Sequence, residues 1–234
     1  MYAYVAFYGG TASVIDLDLN TVIANITVAQ NEIYDSESMA VTPNGNYVYV
    51  ANSDNQSVSV ISTATDTVIS TIPVGVGERP TAVAITPNGE YAYVTCADAV
   101  FVISTFTNSV TATIPLEGDG LAITPDGKYA YIGLIDGIVA VVSTINNTVT
   151  QRISLGNSVT AHCVAIAPNG KYVYVGISDS SQDTMVAVIS TSTNNLTATT
   201  TVVDELSLKS LGGNSGISSI AVTPNNEYVY VATL

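Results

Sequence analysis

One phrase recurs five times along the 234 residues: a small apolar run, Thr or Ala, Pro, Asn or Asp, Gly or Asn, and then Tyr-x-Tyr followed by Val or Ile. The repeat periods are 44, 38, 43 and 56 residues, measured between Pro43, Pro87, Pro125, Pro168 and Pro224. A recurrence at periods of this size is typical of repeat architectures. The repeat therefore constrains the fold, and function is to be sought where the copies differ.

Alignment of the copies on their prolines predicts four short strands per repeat. Strand A precedes the proline, strand B begins at the tyrosine four residues after it, strand C ends in Ile-Ser-Thr or Val-Ser-Thr, and strand D follows seven residues later. Pro-Asn-Gly between strands A and B favours a turn, because Pro presets φ and Asn-Gly tolerates positive φ. Thr, Ser, Val, Ile and Tyr are abundant and no long segment has helical periodicity. The sequence predicts an all-β fold, a β-propeller of four-stranded antiparallel blades.

The two end segments of the chain raise the question of ring closure. The N-terminal segment supplies strands B, C and D, and the C-terminal segment supplies A and B, so the chain has six B strands and five of each other kind. We expect a single domain over 1–234 with five blades, the closing blade shared by the two ends and one B strand left over. An open fragment of a longer array and exchange of end strands between protomers are the alternatives. The predicted repeat units are 2–28, 38–74, 81–116, 120–155, 161–203 and 218–232.

The motif residues resemble a known family. Tyr-Val-Ala-Asn at 49–52 and Tyr-Val-Thr-Cys at 93–96 each follow Thr-Pro-Asn-Gly and precede an Ile-Ser-Thr run, and in this they are similar to the YVTN-family β-propeller repeat of surface-layer and other cell-surface proteins. The resemblance covers essentially the whole chain and implies an extracellular or cell-surface location. It implies little about activity, because the family embraces structural repeats as well as relatives of propeller lyases. The name-giving Asn52 is replaced in other copies by Leu134, Ile177, Thr233 and Phe7.

Charge and hydropathy exclude several classes of partner. The net charge of −14, from 19 acidic and 5 basic side chains, argues against nucleic acids and anionic membranes, because both are bound by clustered Lys and Arg. No apolar run approaches the roughly 18 residues of a membrane-spanning helix, and Met1 leads directly into a predicted strand, so we expect neither membrane insertion nor a signal peptide in this sequence. Cys96 and Cys163 fall in non-adjacent blades and are predicted to be buried free thiols.

Length variation is confined to the B–C and D–A connections, which emerge together at one face of an up-and-down blade. Insertions concentrated on one face commonly mark the binding face of a repeat protein. Glu37, Asp119 and His162 share one register, six residues before the proline. The predicted binding residues at the mouth of the central channel are Asp35, Glu37, Arg79, Glu117, Asp119 and His162.

Two functional classes follow. The first is a non-catalytic cell-surface module for binding, adhesion or surface-layer-like assembly, with a protein or glycan partner or through self-assembly. The second is a lyase-like enzyme or small-ligand binder, in which His162 is the acid/base group with Glu37 and Asp119 as partners. No cofactor is required by either, and calcium near Glu37, Glu117 and Asp119 is the one metal hypothesis. An excised or engineered propeller fragment without its own activity is a third interpretation.

Overall fold

The computed structural model describes residues 1–7, 10–28, 38–156, 158–179, 184–193, 206–207 and 217–233. Within these ranges the chain forms 21 β-strands and one short 3₁₀ helix, Thr191–Thr193. The chain divides into two compact units, Met1–Pro115 and Leu116–Leu234. Among the described residues, no helix has the length and apolar character needed to cross a membrane.

Unit 1 contains three antiparallel sheets. Sheet 1 consists of β1 (Tyr2–Phe7), β2 (Thr11–Asp16) and β3 (Thr21–Thr27). Sheet 2 consists of β4 (Met39–Val41), β5 (Tyr47–Asn52), β6 (Ser57–Ser62) and β7 (Thr67–Pro73). Sheet 3 consists of β8 (Ala82–Ile85), β9 (Tyr91–Thr95), β10 (Val100–Ser104) and β11 (Ser109–Ile114).

Unit 2 also contains three antiparallel sheets. Sheet 4 consists of β12 (Gly118–Ile123), β13 (Tyr129–Leu134), β14 (Ile138–Ser143) and β15 (Thr148–Ser154). Sheet 5 consists of β16 (Val159–Ile166), β17 (Tyr172–Asp179), β18 (Thr184–Ser190) and the two-residue β19 (Leu206–Ser207). Sheet 6 is the pair β20 (Ile217–Val222) and β21 (Val229–Thr233). In every sheet, strands that are consecutive in sequence pair with each other.

The predicted A–B turn has one recurring geometry. In sheet 2 the Thr42 hydroxyl donates to Asn44 Oδ1 at 2.7 Å and accepts from the Tyr47 backbone N–H at 3.0 Å, and Asn44 Oδ1 also accepts the Asn46 N–H at 3.0 Å. Hydrogen bonds of this kind, from a side chain to nearby backbone groups, stabilise turns that lie outside helices and strand ladders. The residue two positions after the proline has positive φ in every copy, namely Gly45, Gly89, Gly127, Gly170 and Asn226.

The constant spacing between strands C and D also has a backbone cause. The residue before strand D lies in the left-handed region in the four described C–D turns, at Asn20, Asp66, Asn108 and Asn147. Asn and Asp tolerate this conformation better than other non-glycine residues. Two of these residues also join neighbouring sheets, because Tyr4 donates its hydroxyl to Asp66 at 2.6 Å and Tyr49 donates to Asn108 at 2.6 Å.

The core lies between consecutive sheets of each unit. In unit 1 the apolar side chains of sheets 2 and 3 form one cluster, and those of sheets 1 and 2 form another. In unit 2 the side chains of sheets 4 and 5 form a cluster around Tyr131, Val141 and Val175. Tyr49, Tyr93 and Tyr131, the second tyrosines of the repeated motif in sheets 2 to 4, are at most 1% exposed. In these three sheets the motif therefore contributes to the core.

The predicted four-stranded antiparallel units are present as sheets 2 to 5. The five-blade count is not confirmed: the described residues form six sheets, none closed, and the two end segments form separate sheets 1 and 6. The strand D predicted at Leu196 lies outside the described residues. The fourth strand of sheet 5 is β19, where Leu206 pairs with Val186 and Ser207 with Met185.

Candidate functional site

The register six residues before the proline coincides with a β-bulge in every sheet of unit 2. The pairing shifts between Gly118 and Leu121, between Ala161 and Cys163, and between Ile217 and Ser219. The residues in the shifted positions include Asp119, His162 and Ser218. A bulge leaves an extra residue outside the ladder and re-aims its side chain. The register predicted from spacing is thus a distinct structural position.

Two of these bulges bring Asp119 and His162 together. Asp119 Oδ2 lies 3.4 Å from His162 Nδ1, and the two side chains are 39% and 32% exposed. The other ring nitrogen, His162 Nε2, lies 2.7 Å from Ser178 Oγ on β17. Ser178 pairs in the ladder with Thr160, two residues before His162, so β17 places Ser178 beside the bulge that holds His162. We call these three side chains the relay cluster.

The backbone around the relay cluster is tightly packed. A Cβ atom on Gly120 would overlap the carbonyl oxygen of His162 and would lie 2.7 Å from Cys163 Cα and 2.9 Å from Val164 N. Real Cβ contacts are essentially never this short. Only glycine at 120 lets β12 approach β16 so closely, and this approach carries the neighbouring Asp119 towards the imidazole.

The other predicted site residues have separate positions. Asp35 and Glu37 lie outside the described residues. Glu117 is exposed immediately before β12. Arg79 belongs to unit 1, where its Nη2 lies 3.8 Å from Asp54 Oδ1. The structure therefore brings together Asp119 and His162 from the predicted set.

The Arg79 connection of unit 1 is bonded to the turns between strands B and C. Gln56 Oε1 accepts the Gly77 N–H at 3.0 Å, and Glu78 Oε2 accepts the Asp98 N–H at 3.3 Å. The carboxylate of Glu78 thus stabilises the turn that contains Asp98. This makes Arg79 and its neighbours part of the loop framework of unit 1.

Ser178 was missed by sequence reasoning. It stands near the end of a B strand, ten residues after Pro168, where no motif marks it. The signal that could have found it is the ladder, because the pairing of β16 with β17 places Ser178 beside the bulge of His162. Small residues flank two of the three bulged positions, with Gly118 and Gly120 beside Asp119 and Ala161 and Cys163 beside His162, whereas Ile217 precedes Ser218. Small flanking residues therefore do not mark every bulge.

The two thiols of the chain take no part in the relay cluster. Cys96 and Cys163 are free thiols; Cys96 is buried as predicted, whereas Cys163 is only partly buried. Burial raises the pKa of Cys96 to about 12 and that of Cys163 to about 11. Thiols with such pKa values stay protonated near neutral pH and are poor nucleophiles and metal ligands. No group of three or more His, Cys, Asp or Glu side chains suited to a metal ion occurs in the part of the chain that the structure describes.

Two grooves lie at the A–B turns, away from the relay cluster. The groove in unit 2 has a volume of about 290 Å³ and is lined by residues that include Asp126, Tyr129, Tyr131, Asn169 and Thr191. The groove in unit 1, of about 530 Å³, is lined by residues that include Asn44, Tyr47, Glu90, Tyr91 and Phe106. Corresponding repeat positions line both grooves, as expected when neighbouring repeats pack in the same way. The two grooves therefore result from the packing of neighbouring repeats.

No protein-family model matches the chain, and no curated protein matches it either. Among solved structures, the hydrazine synthase of Kuenenia stuttgartiensis is similar to it, with a TM-score of 0.80 and 23% sequence identity over 95% of this chain and 67% of that chain. Likeness at this identity concerns the fold. The chain has a propeller-like, all-β fold.

Proposed function

We propose that this chain is a β-propeller module of the YVTN-like, cell-surface or extracellular kind, built from five blades, which binds a glycan. The repeated motif and the propeller-like fold support the class of protein. The high content of Thr, Ser and Asn and the low content of charged residues, 10%, are in keeping with an exposed repeat protein.

The relay cluster is the observation that carries the binding proposal. Most repeated polar residues are occupied by the frame, as with Thr42 and Asn44 in their turn. Asp119 and His162 stand at bulges and keep about a third of their surface in solvent. Partly exposed polar groups converging on one point are the usual specificity elements of a small-ligand site.

Glycan is the ligand class that the donor and acceptor set favours. A carboxylate is an acceptor only, a serine hydroxyl both donates and accepts, and imidazole can do either. Sugar hydroxyl groups also donate and accept, so they complement all three side chains of the relay cluster. The net charge of −14 disfavours anionic glycans. We therefore propose a neutral oligosaccharide.

A glycan array probed with the purified chain and with matched variants tests the proposal. We expect Asp119→Asn and His162→Ala to lose at least about tenfold in affinity for the oligosaccharides that the unmodified chain binds, as for charged hydrogen-bonding groups worth about 1.5–3 kcal/mol. Asp136→Asn is the control, because Asp136 is an exposed carboxylate of the same unit in a B–C turn. Equal binding by all four proteins, or no binding to any neutral glycan, would contradict the proposal.

His162 is the one histidine of the chain. Its ring signals in a ¹H–¹³C NMR spectrum therefore need no assignment by mutagenesis. We expect a bound oligosaccharide from the array to shift these signals in the unmodified chain and in Asp136→Asn. Unshifted ring signals with a saturating ligand would place the binding site elsewhere.

A lyase-like enzyme is the second candidate, and one observation favours it. A general base needs a partner that orients it, and Asp119 lies within ion-pair distance of His162 Nδ1. His162 would then be the base and Asp119 the orienting group.

The calcium site near Glu37, Glu117 and Asp119 stays a prediction, because Glu37 lies outside the described residues.

A further inference from the structure

The relay cluster has the order carboxylate, imidazole, hydroxyl. The Ser178 Oγ to His162 Nε2 distance of 2.7 Å is a short hydrogen bond, and Asp119 lies 3.4 Å from the opposite ring nitrogen. When the ring carries its proton on Nδ1, that N–H faces the carboxylate and Nε2 accepts the serine proton. A hydroxyl within hydrogen-bond reach of a base that is itself oriented by a third group is the signature of an activated nucleophile.

We propose that Ser178 is a nucleophile that accepts acyl groups from small carboxylic esters, with His162 as its general base and Asp119 as the orienting carboxylate. The inference uses the same side chains as the glycan proposal but does not depend on glycan binding. It goes beyond that proposal because it assigns a covalent reaction.

The structure holds the three groups by different elements, so their meeting is not an accident of one flexible loop. Asp119 lies in the bulge of β12, His162 lies in the bulge of β16, and Ser178 lies in β17, which is paired with β16. The missing side chain at Gly120 leaves room for the backbone of β16 beside the bulge of β12. Groups held on paired strands keep their geometry better than groups on loops.

Partial exposure distinguishes this arrangement from a buried structural hydrogen bond. His162 is 32% and Asp119 39% exposed, and Ser178 is also partly exposed. All three residues of the relay cluster therefore keep part of their surface in solvent. The neighbouring Cys163 does not compete, because burial raises the pKa of its thiol to about 11.

The reaction is balanced without a cofactor. Ser178 Oγ attacks the ester carbonyl carbon while its proton passes to His162 Nε2, and the ester C–O bond breaks as the leaving alkoxide takes that proton. Water then attacks the acyl-serine and gives its proton to His162, which returns it to Ser178 Oγ as the acyl–oxygen bond breaks. The products are an alcohol and a carboxylic acid, and the serine is regenerated.

A fluorophosphonate probe tests the nucleophile directly. The probe forms a P–O bond to an activated serine and loses fluoride, so the modified residue can be located by mass spectrometry of peptides. We expect one adduct, on Ser178, and none in Ser178→Ala. We expect His162→Ala to slow labelling by about a hundredfold or more, the lower range of a general-base contribution.

Ser192→Ala is the matched control, because Ser192 is an exposed serine whose hydroxyl lies 3.0 Å from another serine, Ser190, and not from a histidine. We expect this variant to label at the unmodified rate. A chain with no adduct on Ser178, or one that labels equally fast after His162→Ala, overturns the inference. Circular dichroism of each variant shows that the fold is intact.

The two proposals fail in different ways. Glycan binding without fluorophosphonate labelling would overturn the nucleophile and leave the binding proposal standing. Labelling of Ser178 without glycan binding would do the reverse. Release of p-nitrophenol from p-nitrophenyl acetate, lost in Ser178→Ala, is the turnover expected of the nucleophile.

Discussion

Asn52 is a buried polar residue whose presence goes together with serines on the neighbouring strand. Asn52 is 1% exposed, and its Nδ2 donates to Ser57 Oγ at 3.3 Å and to Ser59 Oγ at 2.9 Å, while Ser59 donates to the Val28 carbonyl at 2.8 Å. These bonds satisfy the amide nitrogen, whereas the buried Asn52 Oδ1 has no hydrogen-bond partner among the described residues. In sheet 5 the corresponding residue is Ile177, and the strand facing it carries apolar residues instead of serines. Asn52, Ser57 and Ser59 therefore occur together in sheet 2 and are replaced together by apolar residues in sheet 5.

Asn52→Ala is expected to lower the free energy of unfolding by about 1–3 kcal/mol, because it removes the amide group that donates hydrogen bonds to the buried hydroxyls of Ser57 and Ser59. Ser59→Ala in the same chain should cost less than it does alone, with a coupling energy of about 0.5 kcal/mol or more. Urea unfolding of both single variants and the double variant measures this coupling. Ser62→Ala serves as the control that should combine additively with Asn52→Ala. Additivity of both pairs would show that Asn52 and Ser59 act separately.

Asp126 is the one ionisable residue at its position in the A–B turns, since the other four copies have Asn. The Thr124 hydroxyl donates to its carboxylate at 2.6 Å and, with the Lys128 backbone N–H at 3.1 Å, holds the pKa of Asp126 below its ordinary value. A depressed pKa contributes stability above the unfolded value of about 3.9, and this stability is lost as the pH falls through the folded value. Asn44 makes the same turn bonds without a charge.

Asp126→Asn is therefore expected to change stability little at pH 7 and to reduce the loss of stability between about pH 5 and pH 2. The reverse exchange, Asn44→Asp, should increase that loss. Urea unfolding at a series of pH values compares the three proteins, whose other carboxylates are the same. Parallel stability curves for all three would contradict this account of the turn.

At the scale of the strands, spacing in the sequence predicts the ladder better than its irregularities. The four-strand repeat, the A–B turns and the register of Asp119 and His162 all follow from positions relative to the prolines. The bulges do not, because one extra residue in a strand leaves the turn residues on either side unchanged. Ser178 could not be predicted from spacing, since its place opposite His162 depends on the pairing of β16 with β17.

Gly120→Ala tests whether the approach of β12 to β16 positions the relay cluster. The added methyl group would meet backbone atoms of His162, Cys163 and Val164, which cannot rotate away as a side chain can. We expect a loss of about 1–3 kcal/mol in the free energy of unfolding, the usual cost of overpacking. We also expect changed ring signals of His162 in the NMR spectrum, as β16 shifts away from Asp119.

Gly170→Ala is the control that separates displacement of β16 from a general loss of stability. Gly170 has a φ of +70° in the A–B turn of sheet 5, so alanine is strained there by its own backbone conformation. We expect a loss of stability with His162 ring signals like those of the unmodified chain. Shifts of these signals in both variants would mean that they report general loosening.

At the scale of the whole molecule, the burial of the second tyrosine of the motif differs between sheets 2 to 4 and sheet 6. Tyr49, Tyr93 and Tyr131 are at most 1% exposed, whereas Tyr230 at the same position of β21 is 65% exposed and Tyr228 is 61% exposed. Strand β21 pairs with β20 alone, so its other edge carries unpaired backbone groups in the described part of the chain. An exposed aromatic edge strand is a template for pairing with another chain.

Light scattering over a range of protein concentrations decides how this edge is used. If β21 pairs with a second copy, the molar mass rises from 24.2 kDa towards twice that value as the concentration increases. We expect this rise, and we expect Tyr230→Lys to abolish it, because a charge on an edge strand opposes pairing. Tyr91→Lys is the control, since Tyr91 is 38% exposed on β9, which is paired on both sides. A constant 24.2 kDa for all three proteins would instead favour closure of five blades within one chain.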